Sequence, residues 1–438
     1  MLTIYEQITQ ENKIGYGING KHLDFFKEQY REKTHFIYEI IQNAEDESAE
    51  WIDLKIFSDK MEIRHNAPKK FDEIDVKGIC GLNEGNKTGK KNKIGKFGIG
   101  FKSVYTYTDC PEIYSGNEAF KIEKYIFPEA VENINLLNDD TLFILPFSKS
   151  KEDFDLLFDK LKNKMKSIGL NTLMFLNHLN KITWNIIGED NGTYTKNIIN
   201  SKCINNINIE EIELILESGT IKINELWYLL KTTIIDGEKE YIVAVSYKYN
   251  NGIFIPVKES EDILSVFLPT TMKLGLKYII NGNYNTPPTR EAIYYEDRKN
   301  NKIISETIDL IKKSIDIIKN EGKLDLNFLN VIIGSCSSEE QFQDIFPNII
   351  SKLNSADGYL PSNDKGQYCC PADIFIASSK DLVEIFDKDQ LKSLFNKEIQ
   401  WLDSKIDKEE FSKLRSFLIN ELNVKEIGIK EIAEKTDN

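Results

Sequence analysis

Two segments read together constrain the fold most. Lys21–Glu50 carries apolar side chains at helical spacing (Phe25, Phe36, Ile37, Ile40, Ile41, Ala44) without an internal Pro or Gly, which predicts a helix. About fifty residues further on, Gly95-Lys96-Phe97-Gly98-Ile99-Gly100 opens onto the helix-compatible run Lys102–Tyr107. On the first helix, Glu39, Asn43 and Asp46 stand at i, i+4 and i+7 and so share one face. Two carboxylates and an amide on a buried face are costly unless something satisfies them. The face is therefore either solvated or turned toward a ligand. A metal-bound phosphate meets the second requirement, because the amide oxygen of Asn43 suits Mg²⁺, an ion that takes few protein ligands. Glu39, one turn earlier, is placed to polarise an attacking water. The glycines allow close backbone approach, and a helix N-terminus behind them offers unpaired N–H groups to phosphate. Lys87, Lys90, Lys91, Lys93 and Lys96 surround that loop with positive charge.

The order of elements completes the expectation. Trp51–Ile56 and Met61–His65 alternate as two strands joined at Ser58-Asp59-Lys60. Strand-like runs follow near Glu112–Ser115, Phe120–Lys124 and Thr141–Pro146. Then come an amphipathic stretch from Lys151 to Asn180, interrupted at Gly169, and a closing strand at Ile182–Ile187. Helix, hairpin, glycine loop, helix, strands and helix predict an α+β two-layer sandwich, an antiparallel mixed sheet with helices on one face. Asp190–Thr193 reads as a turn and a domain boundary. The expected organisation is a first domain over 1–190, a middle α/β domain over 191–300 and a mainly helical region over 301–438. In the middle domain, strands at Tyr241–Tyr247, Gly252–Val257 and Lys277–Ile280 are expected to alternate with short helices.

Composition narrows the function classes. A chain of 438 residues exceeds one compact core. Its formal net charge of −14 argues against a large basic face for nucleic acid and against an anionic membrane surface. The six cysteines lack metal-ligand spacing, and no run approaches the roughly 20 apolar residues of a membrane span. A cytoplasmic protein with reduced thiols is the expectation.

Tyr38-Glu39-Ile40-Ile41-Gln42-Asn43-Ala44-Glu45-Asp46, followed by Ile94-Gly95-Lys96-Phe97-Gly98-Ile99-Gly100-Phe101-Lys102-Ser103-Val104, resembles the GHKL (Bergerat-fold) ATPase superfamily. Within it the chain looks most like the sacsin-like, heat-shock-chaperone-like branch. The similarity continues through Asp140-Thr141-Leu142-Phe143-Ile144-Leu145-Pro146, Leu268-Pro269-Thr270, Gly282-Asn283-Tyr284 and Arg290. The resemblance implies Glu39 as general base and Asn43 as the Mg²⁺ ligand, with Asp46 on the same nucleotide face. It makes Asn83–Gly100 the lid and phosphate loop, with Gly95, Lys96, Phe97, Gly98, Ile99, Gly100, Phe101 and Lys102 at the nucleotide. Thr141 would support the adenine through its hydroxyl, or else serve only as a β-branched strand residue.

One element departs from the pattern. Where most of the superfamily has Asp-x-Gly-x-Gly, this chain has His65-Asn66-Ala67-Pro68-Lys69-Lys70-Phe71, with neither glycine. Asn66 takes the place of the base-reading Asp; its oxygen can accept from an adenine amine, but the group also donates. The alternative is a turn Asn. Arg290 would reach the γ-phosphate on domain closure, or pair with Glu291.

The resulting expectation is an Mg²⁺-dependent ATPase of slow turnover, in which lid and domain closure drive a chaperone-like or stress- and phage-defence-related switch. Self-association or a partner protein on ATP binding would accompany closure. Its rival is a nucleotide-gated interaction module that never hydrolyses. A histidine-kinase role lacks an acceptor motif around His22 or His35, and a topoisomerase or repair role lacks DNA-cleavage elements.

Overall fold

A computed structural model describes residues 2–17, 36–81, 100–134, 136, 139–148, 154–287, 291–333 and 339–436. Helix α1 (Ile4–Tyr16) begins with a capping box between Thr3 and Glu6. Helix α2 (Phe36–Asp46) buries Phe36, Ile37, Ile40, Ile41 and Ala44. Strands β1 (Trp51–Ile56) and β2 (Lys60–His65) follow as an antiparallel hairpin that buries every second side chain. Helix α3 (Glu73–Cys80) starts with a second capping box, between Asp72 and Asp75.

The run expected as a helix at Lys102–Tyr107 is a 3₁₀ turn over Gly100–Thr106. Strands β3 (Glu112–Ser115), β4 (Glu118–Glu123), β5 (Phe127–Ala130) and β6 (Thr141–Pro146) come next. The stretch around Gly169 does break: helix α4 covers Phe154–Lys166, and a 3₁₀ turn follows at Leu170–Leu173.

Strand β7 (Lys181–Ile186) lies parallel to β1 and antiparallel to β8 (Asp190–Ile204). Asp190 therefore opens a strand, and the turn falls just before it. Strands β9 (Ile207–Ser218), β10 (Ile221–Asp236), β11 (Lys239–Asn250), β12 (Ile253–Ile255), β13 (Ser265–Val266), β14 (Leu268–Pro269) and β15 (Ile279–Gly282) extend the same sheet. Among the described residues fifteen strands join, in the order β14-β13-β15-β11-β10-β9-β8-β7-β1-β2-β6-β3-β4-β5, with β12 beside β11. The architecture is α+β with one large mixed sheet.

The short helices expected between Tyr194 and Arg290 are absent among the described residues, which run as long strands to Asn250 and then as short strands and irregular chain. The reason lies in the burial. On β9, Ile207 and Ile209 face a core shared with Tyr228, Leu230 and helix α5 (Arg298–Asn320). Further along, Ile212 and Leu214 face the opposite core, shared with Trp227, Leu229 and α2. A strand whose buried face changes midway loses the simple alternation that marks a strand in sequence.

The region beyond residue 300 is helical at first, through α5, α6 (Leu326–Ile332) and α7 (Ile345–Leu353). Strands β16 (Leu360–Pro361) and β17 (Tyr368–Cys369) form a short antiparallel pair. Three parallel strands then depart from the helical expectation: β18 (Ile374–Ala377), β19 (Gln400–Trp401) and β20 (Lys425–Ile427), with β18 in the middle. Helices α8 (Lys380–Ile385), α9 (Lys388–Phe395), α10 (Ser412–Asn420) and α11 (Ile429–Thr436) connect and follow them. Among the described residues no helix is long and apolar enough to cross a membrane.

Candidate nucleotide site

Helix α2 divides its surface as its spacing requires. Ile37, Ile41 and Ala44 are fully buried, whereas Glu39, Asn43 and Asp46 are half-buried along one stripe. The Gly100–Thr106 turn, which ends the glycine segment, packs directly on this helix. Phe36 and Tyr107 meet there with ring centroids 5.2 Å apart. Phe101 turns inward, its ring 5.7 Å from Phe143 of β6. The end of the glycine segment thus lies against the helix that carries the polar stripe. The remainder of that segment, with Gly95, Lys96, Phe97, Gly98 and Ile99, lies outside the described residues, as do Lys87, Lys90, Lys91, Lys93 and Arg290.

Lys102 is 3% exposed. Its ammonium group donates to the carbonyl of Ile79, at the end of α3, at 2.7 Å, and to that of Tyr125. Burial holds its pKa down to about 8. In this arrangement the side chain ties the Gly100–Thr106 turn to α3 and to the β4–β5 connection.

The His65–Phe71 loop follows β2. The Oδ1 atom of Asn66 accepts the N–H groups of Glu50 and Trp51 at 2.9 and 3.1 Å, and so joins this loop to the chain leaving α2. Both lone pairs of the amide oxygen are thereby engaged by backbone donors. Lys69 lies in the field of Glu47, on the same connection. His65 is 6% exposed, and its Nδ1 accepts the N–H of Ala67 at 3.2 Å. Burial first, and the charge of Lys70 second, hold the imidazole pKa down to about 4. Lys70 donates to the carbonyl of Ala67 at 2.7 Å.

Thr141 opposes His65 across the β2–β6 ladder and Ser115 across β3–β6. It is 1% exposed, and its hydroxyl shares a 2.6 Å hydrogen bond with the hydroxyl of Ser115. Ser115 in turn accepts the N–H of Phe71 at 3.2 Å. The threonine hydroxyl therefore fastens the loop that carries Asn66. Asp140, beside it, is buried and paired with Arg64 at 2.6 Å.

Sequence reasoning passed over Glu45, which sits between Asn43 and Asp46 but on the opposite side of α2. It is 3% exposed and accepts backbone N–H groups from Asn177, His178 and Leu179. A carboxylate two residues from Asn43, on the helix's apolar side, is the one signal that pointed to it.

Residues 24–123 match the Sacsin domain, a span that includes α2, the His65–Phe71 loop and the Gly100–Thr106 turn. The chain is 24% identical over 387 residues to Protein NO VEIN of Arabidopsis thaliana, covering 80% of this chain and 14% of that protein. It is 29% identical over 230 residues to Sacsin of Homo sapiens, covering 39% of this chain and 5% of that protein. The chain therefore spans a small part of the length of these relatives. Among solved structures, the N-terminal domain of a DNA repair protein superposes loosely, with a TM-score of 0.40 at 11% identity, over 65% of this chain and 95% of that one. The sequence similarities therefore reach this chain through a Sacsin-type domain in its first part.

Proposed function

We propose that the chain binds ATP with Mg²⁺ against the polar stripe of α2 and hydrolyses it slowly. One observation carries this reading: Glu39, Asn43 and Asp46 are half-buried on a helix that packs against the turn ending the glycine segment. The match to the Sacsin domain covers all of these residues and supports the same reading.

The donor set fits a hard divalent cation. The stripe offers an amide oxygen and two carboxylates and no sulfur or imidazole, which is the chemistry Mg²⁺ prefers. Asn43 would hold the ion, which when bound neutralises phosphate charge. Glu39 would accept the proton of the attacking water as general base. Asp46 lies on the same face, one turn beyond Asn43. The glycine segment, with Gly95, Lys96, Gly98 and Gly100, would supply backbone N–H groups to the phosphates. Arg290 would approach the γ-phosphate from the second region.

Turnover limited by closure of the segment over the nucleotide accounts for a slow ATPase. The output would be a chaperone-like or defence-related change of state, with self-association or partner binding in the ATP form. The relatives are far longer than this chain, so their whole activities are not carried over.

The test is steady-state phosphate release together with equilibrium nucleotide affinity. Glu39→Ala is expected to bind ATP but to lose turnover by about 10²–10⁴-fold, the usual worth of a general base. Equal turnover in both proteins removes Glu39 from the mechanism. Binding without any turnover in the wild type would favour the gated, non-hydrolysing module.

A further inference from the structure

The buried side of α2 ends in a charge network that no reading of the nucleotide site requires. The carboxylate of Glu45 accepts N–H groups from Asn177 at 2.6 Å, His178 at 3.1 Å and Leu179 at 2.8 Å. Three converging amides on one carboxylate make charge-assisted bonds of the strong kind. The preceding carbonyl, that of Leu176, accepts the ammonium group of Lys196 on β8. Lys196 is 6% exposed, and its own N–H donates to Asn180 at 2.8 Å. Residues 176–180 are thus gripped from both sides, by α2 through their N–H groups and by β8 through their C=O groups.

The grip continues outward. The charges of Glu45, Lys231 and Glu210 all act on Lys196, whose pKa burial holds down to about 8. Lys231 of β10 and Glu210 of β9 form their own ion pair at 2.7 Å. Charges of alternating sign thus follow one another from buried Glu45 on α2 and Lys196 on β8 to the half-buried Glu210–Lys231 pair on β9 and β10. Burying such groups costs desolvation, so apolar residues of the same volume would stabilise the junction at least as well. What the charged version adds is a single defined arrangement, lost as a unit when one member moves.

We propose that Glu45 and Lys196 form a coupling clamp that transmits the nucleotide state of α2 through residues 176–180 to β8 and the long strands beyond it. The inference rests on the nucleotide reading of α2. Glu45 acts here as a positioning residue and touches no ligand. By linkage, a clamp that differs between the nucleotide-free and nucleotide-bound states must make β8 respond to the nucleotide.

Hydrogen–deuterium exchange on the full chain, with and without Mg²⁺–ATP, tests this. In the wild type, nucleotide is expected to change exchange several-fold in peptides covering residues 174–180 and 190–204. Glu45→Gln keeps the volume but cannot accept all three N–H groups. It should still show the nucleotide-dependent rise in melting temperature, while the exchange difference at β8 disappears. Glu45→Asp should restore part of that difference, and Lys196→Met should abolish it. If Glu45→Gln melts too low to assay, Lys196→Met carries the same comparison. A nucleotide-dependent exchange difference at β8 that survives in these variants overturns the clamp. A wild type whose melting ignores Mg²⁺–ATP overturns the nucleotide reading instead, and the two failures are distinct.

Discussion

Acidification should destabilise this fold through one imidazole. His65 points into the core beneath the Asn66 loop, and its ring lies 6.0 Å from that of Phe143. Burial and the nearby charge of Lys70 hold its pKa at about 4, against the ordinary value of 6.5. The folded state therefore favours the neutral ring. Below about pH 6.5 the unfolded chain gains a proton at this position while the native chain does not, so stability falls as pH drops. The loss accumulates down to about pH 4, where the native ring also protonates. A difference of about 2.5 pKa units at 1.36 kcal/mol each gives roughly 3 kcal/mol in full, and about 2–3 kcal/mol between pH 7.5 and 4.5. The assay is urea denaturation across that range on the wild type and on His65→Asn. Asparagine places an oxygen near the position of Nδ1 and can keep the bond from the N–H of Ala67, but it does not titrate. The carboxylates elsewhere titrate equally in both proteins and cancel in the comparison. The wild type should lose about 2–3 kcal/mol relative to the variant on acidification. A gap that stays constant with pH would refute the argument, by showing that the imidazole is reached by water or protonated in the native state.

Four further outcomes follow from the same geometry. Mg²⁺–ATP should raise the melting temperature, by roughly 2.7 kcal/mol of linkage at about 100 times Kd; Asn43→Ala should remove most of the metal-dependent part, as read by differential scanning fluorimetry with and without EDTA. Asn66→Asp keeps an acceptor for the N–H groups of Glu50 and Trp51 and replaces the NH₂ donor with a second acceptor, so competition binding should show sharper preference for ATP over GTP. Lys102→Met would leave the carbonyls of Ile79 and Tyr125 without their donor, which should cost about 1–3 kcal/mol in chemical denaturation. Gly192→Ala would place a Cβ 2.7 Å from the indole of Trp184, and should cost about 1–3 kcal/mol by overpacking, measured in the same way.

Strands β1, β2 and β7 are legible in the sequence because they are buried on one face in simple alternation. Met61 and Ile63 announce β2, and Ile182, Trp184 and Ile186 announce β7, whose bounds differ by one residue from the expected ones. The long strands β8, β9 and β10 are not legible in this way. Ile207 and Ile209 serve one core, Ile212 and Leu214 the other, and a change of buried face reads as noise in a period-two pattern. The small parallel sheet escapes notice for a related reason: β18 buries Ile374 and Ile376 on one side and Phe375 and Ala377 on the other, and β19 is only two residues long. At the candidate site, the stripe of Glu39, Asn43 and Asp46 follows from spacing alone. The partners of Asn66, Thr141 and Lys102 do not, because they come from Glu50, Ser115 and Ile79, positions that only the folded chain brings near.

The continuity of the sheet bears on how the proposed nucleotide signal would travel. A hinge at the start of β8 would have to separate β7 from β8, which are paired at every residue from Lys181↔Thr195 to Ile186↔Asp190. It would also have to pull Lys196 from the carbonyl of Leu176 and from Asn180, both in the segment that Glu45 holds. Losing the bond from a buried ammonium group to a carbonyl costs about 1.5–3 kcal/mol, before any loss of ladder hydrogen bonds. That is an appreciable share of the roughly 5–15 kcal/mol that stabilises a whole domain. Free rotation of one half against the other is therefore an expensive way to respond to a ligand. A small displacement of α2 that carries residues 176–180, β7 and β8 with it as one unit keeps every one of these bonds. The same bonds that make the two halves one body make β8 the strand through which occupancy of the α2 stripe should first be felt.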